Sequence, residues 1–177
     1  DINDVERTIA EGFYIARTGR PGPVVIDLPK DIQNSVTNFK AIKVNSMNSY
    51  KPLKRAKLNN IKLAIDILLK AKKPIIYSGG GVINSGVKAS SILTKLVNYL
   101  NIPITQTLMG LGAVSAENKN FLGMLGMHGT YEANMAMHDC DVMLCVGARF
   151  DDRITGNLKY FSPNSKKIHI DIDPSSI

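Results

Sequence analysis

The sequence lacks tryptophan, holds only two cysteines and draws 6% of its 177 residues from the aromatic types. Cys140 and Cys145 are too few for the disulfide framework of a small secreted domain, and they show no metal-ligand spacing. Both lie in or beside an apolar run, so we expect two buried thiols in a reducing compartment. No apolar run reaches membrane-spanning length, and the first residues do not resemble a secretion signal. We therefore expect no membrane partner.

Positive charge is unevenly distributed along the chain, whose formal net charge is +7. Ten Lys or Arg residues and one acid, Asp66, lie between Lys40 and Lys73, and the remainder of the chain is slightly acidic. A nucleic-acid module would interleave such cations with aromatic residues or carry a reading motif. Only Tyr50 lies in this run. The pattern is typical of a solvated linker, and we expect no nucleic-acid partner.

Two segments of different character divide the chain. A length of 177 residues suffices for one domain and part of another. The chain opens on Asp1 and not on Met, which suggests a segment of a larger protein. A helix with Asn3 as its cap, followed by a buried strand at Pro23–Leu28, predicts that residues 1–32 end a preceding domain. Residues 33–58 have weak periodicity and are interpreted as a linker, which leaves 59–177 as the second domain.

Strands and helices alternate regularly from residue 59 onward. The predicted strands cover 74–78, 102–105, 141–146 and 167–172, and the predicted helices cover 61–71, 85–100 and 130–138. This alternation indicates an α/β fold with a doubly wound, Rossmann-like parallel sheet. Right-handed crossovers place the carboxyl ends of all strands at one edge, where ligands of such sheets bind.

Glycine-rich or small-residue turns follow three of these strands, at Gly79–Gly81, Gln106–Gly112 and Gly147–Arg149. Gly79–Gly81 would allow close approach of a ligand to the backbone, although a lone glycine turn is weak evidence. In Gly147–Arg149, the guanidinium of Arg149 could bind phosphate in two places, and Asp151 could accept hydrogen bonds from a ribose or a ring N–H. An alternative stays open, in which Arg and Asp of this polar loop merely pair with each other.

The remaining candidates are weaker. Met127 and His128 lie in a loop and are the expected ligand contacts of the methionine-rich region, whose other members we expect in the core. His138 and His169 are interpreted as structural residues. No metal-ligand spacing, nucleophile with an adjacent base, or catalytic carboxylate pair stands out. The pattern indicates a chain that holds a ligand and does not itself perform chemistry.

Five motifs resemble a known family in order and spacing. The segment GRPGPVVIDLPKD at 19–31 resembles the end of the pyrimidine-binding domain of thiamine-diphosphate enzymes of the pyruvate oxidase and decarboxylase superfamily. The more specific pieces are KPIIYSGGG, QTLMGLGA, LGMLGMHGTYEAN, VGARFDDRITG and IHIDIDPSSI. On these the chain is identified as a member of the acetohydroxyacid synthase (acetolactate synthase) large-subunit family. The resemblance covers nearly the whole chain, except residues 33–60.

The resemblance implies a three-domain transferase that joins two 2-oxo acids, with loss of CO₂, at the start of branched-chain amino acid biosynthesis. Such an enzyme uses thiamine diphosphate, Mg²⁺ and FAD, and the FAD has no redox role in the main reaction. This chain would be the central FAD-binding domain with the end of the first domain. The activating glutamate and the diphosphate motif would lie outside it, so we expect no activity from the chain alone. The family also implies a homo-oligomer, a possible small regulatory subunit, and a location in bacterial cytoplasm or plastid.

The family's FAD contacts can be transferred motif by motif. They are Arg20, Gly79, Gly80, Gly81, Thr107, Leu108, Met109, Met127, His128, Gly129, Gly147, Ala148, Arg149, Asp151 and Asp171. Two rival interpretations remain open: another carboligase, such as glyoxylate carboligase, and a non-catalytic interaction domain that kept the fold and lost the ligand. GARFDDR and MHGTYEAN argue against the first rival. A flavin absorbance spectrum would distinguish the second rival from an FAD-binding domain.

Overall fold

The computed structural model describes all 177 residues, which form two compact units, Asp1–Arg55 and Ala56–Ile177. Residues 35–57 contain neither helix nor strand. The assignment of residues 1–32 to a preceding domain, and of 33–58 to a linker, stays a prediction.

Unit 1 consists of a 3₁₀ turn at Ile2–Asp4, helix α1 at Val5–Arg17 and a short helix α2 at Lys30–Gln33. Asn3 does not cap α1 as predicted. The carboxylate of Asp1 accepts the amide of Asn3 at 2.9 Å, which starts the 3₁₀ turn earlier. Arg7, in the first turn of α1, forms a salt bridge with Asp4 at 3.0 Å.

The predicted strand at Pro23–Leu28 is wrong. The structure shows no strand there, and Val25 is 93% exposed. The apolar β-branched sequence favours an extended chain, but a strand forms only when a neighbour accepts and donates its backbone hydrogen bonds. Unit 1 contains no strand that could supply these hydrogen bonds.

Unit 2 is a five-stranded parallel sheet with helices on both faces. The strands are β1 Pro74–Ser78, β2 Ile104–Gln106, β3 Phe121–Met124, β4 Val142–Val146 and β5 Lys166–Ile170. The helices are α3 Leu58–Leu69, α4 Gly80–Asn84, α5 Val87–Leu100, α6 Tyr131–Asp139 and α7 Asp152–Thr155. The strand order is β3-β2-β1-β4-β5, and every neighbouring pair is parallel. The doubly wound α/β prediction is confirmed.

The strands are apolar on both sides because both faces of the sheet are covered. Ile76 points to a core under α3, α4 and α5, which includes Val97 and Ile104. Ile75 and Tyr77 point to the opposite core, which α6 and the segment from Phe150 onward complete. This alternation follows from the two-residue period of a strand. It also places Tyr77 and Cys145 on the face of the sheet that the segment from Phe150 onward covers.

Two helices and one strand of unit 2 are not predicted from the sequence, and in unit 1 the short helix α2 is not predicted either. Strand β3 is a short edge strand that contains Gly123 and follows a polar stretch, so it carries little of the apolar signal of the inner strands. Helix α7 has only four residues. The segment from Gly80, interpreted as a turn, begins helix α4. The central strands and long helices were predicted to within a few residues, because their apolar runs are continuous.

The two thiols agree with their prediction, since Cys140 and Cys145 are buried and unpaired. None of the helices is long and apolar enough to cross a membrane.

Candidate functional site

The carboxyl edge of the sheet has a point where the chain reverses its direction of winding. From β1 the chain moves through α4 and α5 to β2, whereas β4 lies on the other side of β1. The last residues of the two strands, Ser78 and Val146, are paired in register. Open α/β sheets bind ligands outside the strand ends at such a switch point. A ligand site is therefore expected at the turns that follow β1 and β4.

The turns after β1 and β4 pack backbone against backbone. An ideal Cβ on Gly79 would lie 2.6 Å from the Cα of Ala148, and one on Gly81 would lie 2.7 Å from the Cα of Gly147. The amide of Gly79 donates to Val146 at 3.0 Å, and the amide of Gly81 donates to Gly147 at 2.9 Å. These two glycines are thus required by the packing of the turns, and their N–H groups already have protein partners.

The turn after β2 lies against the same glycines. It is a 3₁₀ turn, Leu108–Gly110, and an ideal Cβ on Gly110 would lie 2.8 Å from the Cα of Gly79. An ideal Cβ on Gly80 would lie 3.2 Å from the Cβ of Met109. Leu108 and Met109 are nevertheless 68% and 76% exposed. Two large apolar side chains therefore stand in solvent beside a glycine-lined edge.

The loop with Met127 and His128 is held by helix α7, which follows the turn with Arg149. The amide of Met127 donates to the carbonyl of Arg153 at 3.0 Å. Asp151 caps α7, with its Oδ1 accepting the amide of Arg153 at 3.1 Å. Gly129 packs so closely on the backbone of residues 124–126 that a side chain would collide with it. Met127 is 62% exposed, and His128 is also exposed.

The turn with Arg149 is held by hydrogen bonds to two successive carbonyls. The carbonyl of Ala148 accepts from Nε2 of His169 at 2.9 Å and from Sγ of Cys145 at 3.3 Å. The carbonyl of Arg149 accepts from the Tyr77 hydroxyl at 3.4 Å. Burial raises the pKa of Cys145 to about 12 and raises the pKa of Tyr77 well above its usual range. Both groups therefore keep their protons at neutral pH and remain donors.

The side chain of Arg149 is exposed and forms no salt bridge. The alternative in which Arg149 pairs with a carboxylate of its own loop is therefore not what the structure shows. Asp171, at the end of β5, uses Oδ1 to accept the amide of Asp173 at 2.9 Å. Its Oδ2 lies 3.9 Å from Nε2 of His169. The guanidinium of Arg149 and the carboxylate of Asp171 thus lie beside the turn without forming an ion pair with each other.

Most of the predicted site residues share this carboxyl edge. In direct contact through the turns are Gly79, Gly80, Gly81, Met109, Gly147 and Ala148, with Thr107, Leu108, Arg149 and Asp171 adjoining them. Met127, His128 and Gly129 join Asp151 through Arg153. Arg20 lies in unit 1, and its role stays a prediction.

The sequence does not predict the roles of three residues near the site, Tyr77, Ser78 and Cys145, whereas the prediction of His169 as structural agrees with its bond to Ala148. Tyr77, Cys145 and His169 hold the Arg149 turn, and only the strand register brings them together. The hydroxyl of Ser78 is fully buried and has no hydrogen-bond partner. Its sequence signal was a single polar residue at the end of an apolar strand, directly before the triple glycine.

The fold is a doubly wound α/β domain in which three turns meet at the switch point of the sheet. The chain belongs to the family of thiamine pyrophosphate enzyme central domains, which matches residues 61–177.

Similar proteins extend the match to nearly the whole chain. The acetolactate synthase large subunit of Haemophilus influenzae is 51% identical over 178 residues, which is 98% of this chain and 30% of that protein. The isozyme 3 large subunit of Escherichia coli is 49% identical over 176 residues, with the same two shares of 98% and 30%. The large subunit of Porphyra purpurea is 43% identical over 179 residues, 100% of this chain and 30% of that protein. The chain thus spans about 30% of the length of these relatives.

Proposed function

We propose that unit 2 binds FAD at the carboxyl edge of its sheet and is the central domain of an acetolactate synthase large subunit. The observation that carries this proposal is the joining of three turns, after β1, β2 and β4, with so little space that side chains are excluded at Gly79, Gly81 and Gly110. Small-residue turns joined in this way expose backbone at the carboxyl ends of the strands, where ligands of open α/β sheets bind. The choice of acetolactate synthase as the enzyme rests on the names of the similar proteins.

The chemistry of the edge suits the parts of FAD. Arg149 offers an exposed fork of N–H donors, which matches a diphosphate. The exposed side chains of Leu108, Met109 and Met127 offer apolar and polarisable surface for an aromatic ring. Asp151 and Asp171 offer acceptors for ribose hydroxyls. Because the amides of Gly79 and Gly81 are already used, we assign those glycines to shaping the surface and not to donating to phosphate.

In the proposed enzyme this domain does not perform the carbon–carbon bond formation. No group of three or more His, Cys, Asp or Glu residues in the chain could hold a metal ion. We therefore assign thiamine diphosphate and Mg²⁺, which supply the carbanion chemistry, to residues outside these 177. FAD is proposed to act as a structural cofactor that holds the edge in shape, without a redox step in the joining of the 2-oxo acids.

The proposed enzyme condenses pyruvate with a second pyruvate or with 2-oxobutanoate and releases CO₂. The phrase "large subunit" in the relatives' names supports a smaller partner subunit and an assembly of several chains. The proposed location is bacterial cytoplasm or plastid, and this follows from the family resemblance alone.

The test is carried out on the full-length protein that contains this chain. With thiamine diphosphate, Mg²⁺ and FAD, it should consume pyruvate and form acetolactate, and the 177-residue chain alone should form none. Glyoxylate in place of pyruvate tests the rival carboligase. A protein that uses only glyoxylate, or that shows no flavin absorbance after reconstitution, contradicts the proposal. Product formation by the 177-residue chain would contradict the assignment of catalysis to other residues.

A further inference from the structure

Three polar side chains form a row across the sheet directly beneath the turn with Arg149. Tyr77 on β1 is in register with Cys145 on β4, and Cys145 is in register with His169 on β5. Partners in register share a face of the sheet. Each member of the row donates to a carbonyl of the turn: His169 and Cys145 to Ala148, and Tyr77 to Arg149.

The turn is also held by its next residue. The ring of Phe150 lies 5.6 Å from that of Tyr77, 5.5 Å from that of His169 and 5.9 Å from that of Phe161. Ala148, on the other side of Arg149, is 2% exposed. Arg149 is thus the one exposed residue between two that are anchored, and its backbone carbonyl is itself held by Tyr77.

A carbonyl oxygen has two lone pairs, and both of those on Ala148 are used. Because the carbonyl can only accept, Nε2 of His169 must carry the hydrogen in this contact, at 2.9 Å. The backbone of Gly147, at a φ of +58°, adopts a conformation that favours glycine. Glycine adopts this conformation without strain but adopts many others as readily, so contacts with neighbouring residues are needed to hold the turn in one direction.

We infer that the row Tyr77–Cys145–His169 is a positioning device that fixes the Ala148–Arg149 backbone and thereby directs the Arg149 guanidinium toward the diphosphate of the bound dinucleotide. This inference rests on the proposed function. The three residues do not touch the ligand themselves and are positioning residues. Preorganised donors bind more tightly because less freedom is lost on binding.

The experiment measures FAD affinity of the full-length protein by titration of the cofactor-free form. His169→Leu removes the donor to Ala148 and puts an apolar side chain in its place. We expect FAD to bind about three- to ten-fold more weakly, which corresponds to the loss of one neutral hydrogen bond. His169→Gln restores an N–H at about the position of Nε2 and should recover most of the affinity. Tyr77→Phe should weaken binding less, because its bond is long. The matched control His138→Leu should bind FAD as the wild type does.

A double-mutant cycle separates positioning from general stability. If His169 acts by directing Arg149, then His169→Leu should weaken FAD binding little further when Arg149→Ala is already present. An equal loss in both backgrounds would overturn the inference. A failure of His169→Gln to recover any affinity would also overturn it.

A second readout does not depend on FAD. Trypsin cleavage after Arg149, compared with cleavage after Lys119 in another loop, reports local loosening of the turn. We expect His169→Leu to speed cleavage after Arg149 alone, and His169→Gln to leave it at the wild-type rate. Equal rates in all proteins, or faster cleavage at both sites, would overturn the inference. A wild-type protein that binds no FAD would refute the proposed function and with it the directing of Arg149 toward a diphosphate, whereas the cleavage rates would still decide whether the row holds the Arg149 turn.

Discussion

Replacing Gly79 by alanine tests whether the edge depends on the close packing of two turns. The φ of Gly79 is −124°, so alanine is allowed there by the backbone and only space is at issue. Its Cβ would lie 2.6 Å from Cα and 2.7 Å from Cβ of Ala148, and still closer to the carbonyl oxygen of Gly147. Backbone cannot yield as a flexible side chain can. The turns after β1 and β4 must therefore separate.

The expected effect of Gly79→Ala is a loss of stability. Overpacking of this kind costs about 1–3 kcal/mol. The separation also stretches the bonds from Gly79 to Val146 and from Gly81 to Gly147, each worth about 0.5–1.5 kcal/mol. Reduced freedom of the unfolded chain offsets about 0.4–1 kcal/mol of this loss. Together these contributions lead us to expect that the free energy of unfolding falls by about 1–5 kcal/mol.

The neighbouring Gly80→Ala is the matched control. Its Cβ would lie 3.2 Å from the Cβ of Met109 and 3.3 Å from the carbonyl oxygen of that residue, so the neighbouring turn needs to shift by only a few tenths of an ångström. Gly80 is also the first residue of helix α4, where alanine is favourable. We expect this variant to unfold within about 1 kcal/mol of the wild type. The assay is urea unfolding followed by far-ultraviolet circular dichroism. If Gly79→Ala were as stable as Gly80→Ala, the packing argument would be refuted.

Three further predictions concern single side chains. Arg149→Ala should weaken FAD binding about ten- to a hundred-fold, as for a charged hydrogen bond, and Arg149→Lys should recover only part; unchanged binding would remove Arg149 from the site. Ser78→Ala removes a buried hydroxyl without a partner and should leave the free energy of unfolding unchanged or raise it by about 1 kcal/mol, whereas a clear loss in urea unfolding would show that the hydroxyl is satisfied. The amides of Lys72 and Lys73 lower the pKa of Asp141, so its carboxylate stabilises the fold above its unfolded pKa and less so as the pH falls through the folded value. The stability difference between wild type and Asp141→Asn should therefore shrink below about pH 4, and a difference that does not vary with pH would contradict this.

The inner strands and their turns could be predicted because burial on both faces leaves a continuous apolar run followed by small residues. Strand β3 could not, since it is a short edge strand with Gly123 inside it. The segment Pro23–Leu28 has the composition of a strand but no neighbour with which to pair, and composition says nothing of neighbours. Propensity is a weak guide wherever tertiary pairing decides the outcome.

The candidate site shows the same division. Gly147–Arg149 could be predicted as a ligand turn from its position after an apolar strand. The support given by Tyr77, Cys145 and His169 could not, because these residues lie on three strands and meet only through the register of the sheet. The sequence predicts His169 as structural, and the bond between its Nε2 and the Ala148 carbonyl agrees with that role. The packing role of Gly79 and Gly81 likewise depends on a contact between distant turns.

Amide chemical-shift mapping with FAD tests the central claim most directly. FAD is titrated into isotope-labelled, cofactor-free protein, and the shifts of every assigned amide are followed. We predict changes at Gly80, Leu108, Met127 and Arg149, on the carboxyl edge, and none at Lys73 or Lys166, which begin or precede strands at the opposite edge. Changes confined to the opposite edge, or no changes at saturating FAD, would contradict a flavin site at the joined turns.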